Sequence, residues 1–512
     1  MPANDSRSLP DLAPALILGG LTALLHLLTA SDGWDLFRDE LYYLANSHHI
    51  AFGYVDHPPL IGWLTWVART LFGTSQLGLR CLPALAAGAT AFTVCRIAAA
   101  LGGGLWSQLL AGAATAFAPL YIALFGYLSM NSFDILFWAI CLWILVRLLA
   151  SRDLRWWLPF GLVAGLGLEN KISILFLGVG VVAGLLAARD WASLRSRWLW
   201  LGGAAAVLLF APYLLWQVAH GWPTLEFIRN ATEHKIQPLS PLAFLGFQVE
   251  AMGMPAAALA LVGWIFLFAG RPTRAHRALA WTPLAVLALL VLQRSKPYYF
   301  APAWSLLFAA GGAGFAWWTD RRGWRLLRPV ALVLIVAFGL AAAPLVKPVL
   351  DVEGTVAYMR KVGAEAGTDE RKEVGRLGQM FADRLGWRSL ATTVARVSAG
   401  LSTEERAKAC VFAQNYGQAG AIEHYGRDLS VPPVIGGHNS YALWGPGSCT
   451  GEVVIVVDGD RDRLGEEFDS VEHAATYTCA DCMPYESSKE IWLARGLRAP
   501  IDQVWGSVRH FD

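Results

Sequence analysis

The chain has 512 residues, of which 55% are hydrophobic and 16% charged, with 23 Trp and 24 Phe and a mean hydropathy of +0.43. That composition excludes an ordinary soluble enzyme and a disordered chain. The formal net charge is only +2, and Lys and Arg fall in short clusters between apolar stretches, so no basic excess exists to neutralise a phosphate backbone and nucleic acid is not an expected partner.

From Pro14 to about Leu350 the sequence is a series of apolar blocks, at 14–30, 77–99, 105–126, 132–150, 157–187, 199–218, 242–269, 279–293, 298–318 and 329–346. Each predicts a membrane-spanning helix. The first is flanked by Asp5, Arg7 and Asp11 and is followed by no small-residue cleavage site before Trp34, so it is expected to remain as the first span. The block 157–187 would be about 46 Å long as one helix, well beyond a hydrocarbon core of about 30 Å. It carries Glu169, Asn170 and Lys171 at its centre. Three polar residues at mid-membrane are costly, so the block is expected to be two half-length spans meeting at a water-exposed tip.

That split gives about eleven spans, and the positive-inside rule supports it. One side then collects Arg7, Arg96, Arg147, Arg152, Arg155, Arg189, Arg195, Arg197, Arg271, Arg274, Arg277, Arg321, Arg322, Arg325 and Arg328. This side is expected to be the cytoplasm. The outer face is left with a loop at 31–76, a turn at 127–131, the 169–171 tip, a loop at 219–241, the turn at 294–297 and everything after Lys347.

The expected fold is therefore a polytopic α-helical membrane protein, with a transmembrane domain over 12–348 and a soluble extracytoplasmic α/β domain over 349–512. In the latter, Ala409–Ala413 and Glu452–Asp458 read as buried strands, and Thr403–Ala409 and Ala419–Tyr425 as helices. Of the seven cysteines, Cys81, Cys95 and Cys141 lie in spans and read as small apolar fillers, while Cys410 sits in a strand. One disulfide is expected among Cys449, Cys479 and Cys482. A zinc site at Cys479-x-x-Cys482 lacks a second ligand pair.

In the first outer loop, Asp39, Tyr42 and Tyr43 are spaced i, i+3, i+4 and share one helix face, a carboxylate flanked by aromatic rings. Such a face suits a sugar-binding wall with a base in it; an interfacial amphipathic helix would show the same pattern. His57-Pro58-Pro59 fixes an extended stretch that holds Asp56 and His57 at a turn. Asp134 begins the fourth span, where it could serve chemistry or complement the helix N-terminus, with Asn131 as a possible cap. Lys171 and Lys296, with Tyr298 and Tyr299, put cations and aromatic rings at the outer boundary, suited to a lipid-borne phosphate. Arg229, Glu233, His234 and Lys235 form a further polar cluster.

The ordered set of Asp39-Glu40 with Tyr42-Tyr43, Gly53-Tyr54 through His57-Pro58-Pro59-Leu60, Asp134, the Lys171 half-helix pair and Lys296-Pro-Tyr-Tyr-Phe-Ala-Pro-Ala resembles glycosyltransferase family 39, which includes the protein O-mannosyltransferases and the bacterial aminoarabinose transferases of the GT-C fold. The resemblance covers roughly 12–320. It implies an enzyme that takes sugar from a polyprenyl-phosphate donor and transfers it outside the cytoplasmic membrane to a protein, lipid or glycan acceptor. By motif, Asp39 matches the family's catalytic carboxylate in the first outer loop, Asp134 resembles a second acidic residue of the same site, and Glu40 accompanies Asp39. Asp56 and His234 match positions that contact a divalent metal in the aminoarabinose branch. This chain departs from that branch in having His57 where the branch has a lysine and Tyr42 where it has an arginine, which counts against the aminoarabinose donor and leaves the sugar open.

The chemistry implied is economical: one base deprotonates the acceptor, and cations hold a phosphate that leaves well as an anion without a general acid. Asp39 with Lys171 and Lys296 supplies such a set, and a single displacement inverts the anomeric centre. The tail after the last span is expected to select the acceptor. The alternative from another class is a secondary transporter of a polar or lipid-linked solute, in which charges sit near the midplane and the halves repeat; here the polar residues cluster at one face and no repeat is visible.

Overall fold

A computed structural model describes residues 12–31, 33–368 and 370–512. Asp5, Arg7, Asp11 and Asp32 lie outside the described residues. The chain divides into two compact units: one made of 12–31, 71–215 and 238–349, the other of 33–70, 216–237 and the segment from Leu350 to Asp512.

The first unit is helical, and each apolar block of the sequence is found in helix. Among the described residues, five helices are long and apolar enough to cross a membrane: Gln76–Ala100, Met130–Ser151, Arg197–Ala219, Arg274–Leu292 and Leu327–Val346. Arg197–Ala219 and Leu327–Val346 are only 17% buried over their apolar windows. They expose Trp200, Leu208, Leu215, Val333 and Leu340, side chains that a bilayer would cover and water would not.

Block 157–187 divides as expected into Trp157–Asn170 and Ile174–Ala187, with Lys171 extended between them. The tip is only partly exposed, however: Glu169 and Lys171 are half-buried, and Asn170 is fully buried and donates its amide to the Met130 carbonyl at 2.8 Å. The Asn170 amide and the Lys171 ammonium both take partners from the start of Met130–Ser151.

Block 242–269 is not one helix. Pro241–Met252 and Met254–Ala269 meet at 112°. Gly253 takes φ +78 between them, and Pro255 cannot donate to the preceding turn. If the bent pair counts as one crossing, the helices that meet the length test number six; others of the expected spans are shorter or interrupted. Block 105–126 is likewise broken before Pro119, into Leu105–Phe117 and Pro119–Leu124. Packing in this unit relies on backbone approach: a Cβ on Gly263 would lie 2.3 Å from the Gly311 nitrogen, and one on Gly311 2.3 Å from the Leu259 carbonyl oxygen. Small residues let Met254–Ala269 and Trp304–Arg322 touch along their backbones.

The second unit carries a five-stranded sheet, with β1 Ala409–Ala413, β2 Val434–Gly436, β3 Val453–Val457, β4 Phe468–Tyr477 and β5 Lys489–Leu497 in the order β2-β1-β3-β5-β4. β1 is parallel to β2 and β3, while β5 is antiparallel to β3 and β4. β3 is Val-Val-Ile-Val-Val and buried throughout, as a central strand requires. The strands expected at 409–413 and 452–458 are β1 and β3. The helix expected at 403–409 runs Thr403–Lys408 behind a Ser402–Glu405 capping box, and that expected at 419–425 runs Tyr416–Gly426, capped by Asn415.

One expectation about the cysteines is corrected. Cys449 is bonded to Cys410 of β1, and Cys479 and Cys482 are free thiols. Cys410 and Cys449 belong to the apolar cluster on the sheet, which the bond closes.

The segment 33–70 folds with the tail: Trp34 donates to the Leu350 carbonyl at 3.0 Å, the Leu36 N–H to Tyr425 Oη at 2.8 Å, and Arg388 Nε to Asp35 at 3.0 Å. Segment 216–237 joins the same unit. Thr224 Oγ1 donates to the Val55 carbonyl at 2.7 Å, and Asn230 Nδ2 to that of Phe511 at 2.7 Å.

Candidate active site

In the sheet-bearing unit, the helix Arg38–His48 presents the acidic pair of the first loop. The two carboxylates do different things. Glu40 is fully buried, and its Oε2 accepts the Phe37 N–H at 2.9 Å, closing the first turn of the helix. Asp39 is partly exposed and accepts a hydrogen bond from Tyr416 Oη at 3.1 Å. Burial pushes the Asp39 carboxyl above the ordinary carboxylate range, while the Arg38 charge and the Tyr416 hydroxyl pull it back. The result is a carboxyl that binds a proton more tightly than a solvated Asp.

Arg38 is held on several sides. It donates to Tyr485 Oη, lies 3.9 Å from Asp383 and stands over the Tyr416 ring at 5.2 Å. Its backbone N–H is also bound, to the Asp383 carbonyl at 3.1 Å.

Tyr42 does not present an open face. It is 1% exposed, stacks on Tyr416 with centroids 4.5 Å apart, and its hydroxyl donates to Asp56 Oδ1 at 2.9 Å and meets Ser440 Oγ at 2.7 Å. Tyr43 is equally buried, edge-on to His57 at 5.3 Å. His57 has Nδ1 2.8 Å from the Pro58 carbonyl and Nε2 3.0 Å from Asn46 Nδ2. Both ring nitrogens are thus engaged, one by the Pro58 carbonyl and the other by the Asn46 amide.

The two residues expected to face a metal, Asp56 and His234, lie in the same unit. Asp56 Oδ1 is engaged by Tyr42, and His234 is exposed on the segment Ala231–Lys235, with Nδ1 at 3.2 Å from the Asn230 carbonyl. Among the described residues, the only group of three or more ligand-type side chains whose atoms converge is His438, His510 and Asp512, which includes neither.

In the helical unit a second polar cluster forms where Met130–Ser151 meets the break at Lys171. Ser129, not Asn131, caps that helix, accepting the Asn131 N–H at 3.2 Å. Asp134 is 2% exposed; its Oδ1 accepts from Ser173 Oγ at 2.5 Å, and its Oδ2 lies 4.0 Å from Lys171 Nζ. Lys171 Nζ donates to Asn131 Oδ1 at 2.6 Å and sits 4.5 Å from the Tyr299 centroid and 5.5 Å from that of Tyr298. Lys296 is near enough for the two ammonium groups to repel. A clamped ammonium backed by two rings and facing a second cation is an arrangement that an anion relieves.

Asp39, Glu40, Tyr42, Tyr43, Asp56 and His57 are thus brought together in one unit, and Asp134, Lys171, Lys296, Tyr298 and Tyr299 belong to the other. Sequence reasoning missed Arg38, Tyr416, Ser440, Asp383 and Tyr485 in the first set, and Ser173 in the second. Asn131 and Ser173 flank residues already singled out and were within reach of a spacing argument. Tyr416 carries no local signal at all.

A family profile described as "Dolichyl-phosphate-mannose-protein mannosyltransferase" matches residues 56–216. A curated relative, undecaprenyl phosphate-alpha-4-amino-4-deoxy-L-arabinose arabinosyl transferase 1 of Sodalis glossinidius, is 25% identical over 297 residues, 52% of this chain and 50% of that protein. The chain thus spans about half the length of the curated relative it matches. Among solved structures, ArnT from Cupriavidus metallidurans bound to undecaprenyl phosphate is similar with a TM-score of 0.60 at 15% identity, covering 93% of this chain and 97% of that one. The arabinofuranosyltransferase AftD from Mycobacteria is similar with a TM-score of 0.51 at 16% identity, covering 96% of this chain and 40% of that one. These similarities bear out the resemblance to glycosyltransferase family 39: the profile match and the curated relative are of the protein O-mannosyl and aminoarabinose transferase type, and the chain shares the fold of ArnT.

Proposed function

We propose that the chain moves a sugar from a polyprenyl-phosphate donor to an acceptor at the outer face of the cytoplasmic membrane, with inversion at the anomeric carbon. The observation that carries this reading is the Lys171 cluster, in which an ammonium is fixed by Asn131 and Asp134, backed by Tyr299 and confronted by Lys296. Such a cluster stabilises the phosphate as its negative charge grows on departure. Asp39 is the general base: its raised proton affinity strengthens it for a hydroxyl acceptor. Glu40, Tyr42, Tyr43 and His57 act as positioning residues that fix the Asp39 helix and the Asp56 turn. Asp134 positions Lys171. No step is assigned to a metal.

The proposed topology keeps about eleven crossings, with the Arg clusters inside and the sheet-bearing segment outside. The relatives named above are transferases, and nothing favours a transporter.

The test gives the purified full chain a panel of radiolabelled polyprenyl-phosphate sugars and scores label leaving the lipid. Wild type releases label from one donor, and Asp39→Asn lowers the rate by about 10²–10⁴. Failure to consume any donor by a folded protein overturns the reading.

A further inference from the structure

Outside the residues used above, one pair of reactive side chains has no part in packing the sheet. Cys410 and Cys449 are buried in the apolar cluster and bonded to each other, whereas Cys479 and Cys482 are free and lie in the turn between β4 and β5. Their environments are unequal. Cys479 is partly exposed, while Cys482 is only 5% exposed. The Cys479 sulfur receives the Cys482 N–H at 3.2 Å, and the Cys482 thiol lies 3.5 Å from the Cys479 carbonyl. Arg376 is salt-bridged to Asp481 inside the same turn, with Nη2 to Oδ2 at 3.0 Å, which brings a guanidinium to its surface.

We infer that Cys479-Ala-Asp-Cys482 is a redox-active dithiol that exchanges with disulfide-bearing molecules, Cys479 attacking and Cys482 resolving. A partly exposed sulfur that collects donors, followed at i+3 by a covered one, is the arrangement in which the first thiol is the nucleophile and the second completes an intramolecular bond. Hydrogen bonding from the Cys482 thiol and from the backbone N–H groups of Cys482 and Asp481 outweighs burial and pulls the Cys479 thiol down to about 6, while the same contact and burial push Cys482 up.

The exchange balances. The Cys479 thiolate attacks a disulfide RS–SR, forming Cys479–S–S–R and releasing RS⁻. That thiolate takes the proton of Cys482, whose sulfur then attacks Cys479 Sγ and expels a second RS⁻. The protein dithiol is oxidised by two electrons, and one disulfide is reduced to two thiols. Zinc binding is the competing use of such a pair, but neither cysteine belongs to a converging group of three ligands among the described residues. The inference does not depend on the transferase reading.

The test equilibrates the full-length protein in detergent with glutathione buffers of graded oxidised-to-reduced ratio, quenches with acid, alkylates the free thiols and quantifies the 479–482 peptide by mass spectrometry. A reversible disulfide between Cys479 and Cys482, with Cys410–Cys449 unchanged, is expected. In reduced protein at neutral pH, Cys479 should alkylate at least about tenfold faster than Cys482. Cys482→Ser should trap glutathione on Cys479, and Cys479→Ser should take none on Cys482. Wild-type protein that stays dithiol at every ratio, or takes glutathione on Cys479 without closing the ring, overturns the inference whether or not the variants fold.

Discussion

Removing Asp134 should expose how tightly the Lys171 ammonium depends on it. The two charges are 4.0 Å apart, with side chains 3% and 12% exposed. At an effective dielectric constant near 20, such a pair is worth about 4 kcal/mol of attraction. Taking one partner away leaves the other charge buried, at a cost of about 3–5 kcal/mol, whereas removing both is far milder. Asp134→Ala is therefore expected to destabilise the helical unit by about 3–4 kcal/mol and Lys171→Met by about 2–3, since Asp134 keeps its bond from Ser173. The double variant should cost about 2 kcal/mol, well short of the sum. Asp134→Asn isolates the charge, because its carbonyl can still accept from Ser173. The assay is equilibrium unfolding in mixed micelles, followed by Trp fluorescence, across the four-member cycle. If the single losses add to the double within about 0.5 kcal/mol, the groups are uncoupled. Lys171 would then be held by Asn131 and the tyrosine rings alone, and the reasoning fails.

Breaking the Cys410–Cys449 bond, which closes a sequence separation of 39, should cost the sheet-bearing unit about 4 kcal/mol in the chain-entropy account, read by urea unfolding of the double Ser variant under non-reducing conditions. Gly311→Ala should destabilise the helical unit by roughly 1–3 kcal/mol, because its Cβ would sit 2.3 Å from the Leu259 carbonyl oxygen; an unchanged unfolding midpoint would contradict that contact. Burial pushes the Glu423 carboxyl up to about 7 against a hydrogen bond from Tyr441. A raised carboxyl favours the folded state when protonated, so stability present below about pH 4 is lost as pH rises through about 7, by about 3 kcal/mol; Glu423→Gln should flatten that part of the profile.

What the sequence disclosed follows the strength of the constraint on it. A bilayer demands continuous apolar runs, so every such block is helical, and the cost of burying Glu169, Asn170 and Lys171 identified the break before Ile174. The bend at Gly253 was also written in the chain as Gly-Met-Pro, but hydropathy averaged over the block hid it. Strands β1 and β3 were legible because they are buried on both faces. β4 was not: most of its residues are exposed or half-buried, and its burial follows no clean alternation. The partner of Cys449 was missed because spacing along a chain carries no information about which strand a loop returns to, and Cys410 reads locally as an ordinary strand residue.

The partner of Asp39 was beyond reach for the same reason, and its identity changes what a truncation can show. Asp383, Tyr416 and Tyr485, which hold Arg38 and Asp39, all come from the segment after Leu350. Deleting that segment to ask whether it selects the acceptor would remove the groups that set the proton affinity of the candidate base, and lost transfer would have two causes. Tyr416→Phe separates them, since it keeps the ring stacked on Tyr42 and deletes only the hydroxyl. That hydroxyl favours ionised Asp39. Without it the carboxyl rises further, so the acid limb of the pH–rate profile should move to higher pH while the rate above the limb is largely kept. A limb that stays in place, with activity lost uniformly, would show that Tyr416 supports the fold and not the base.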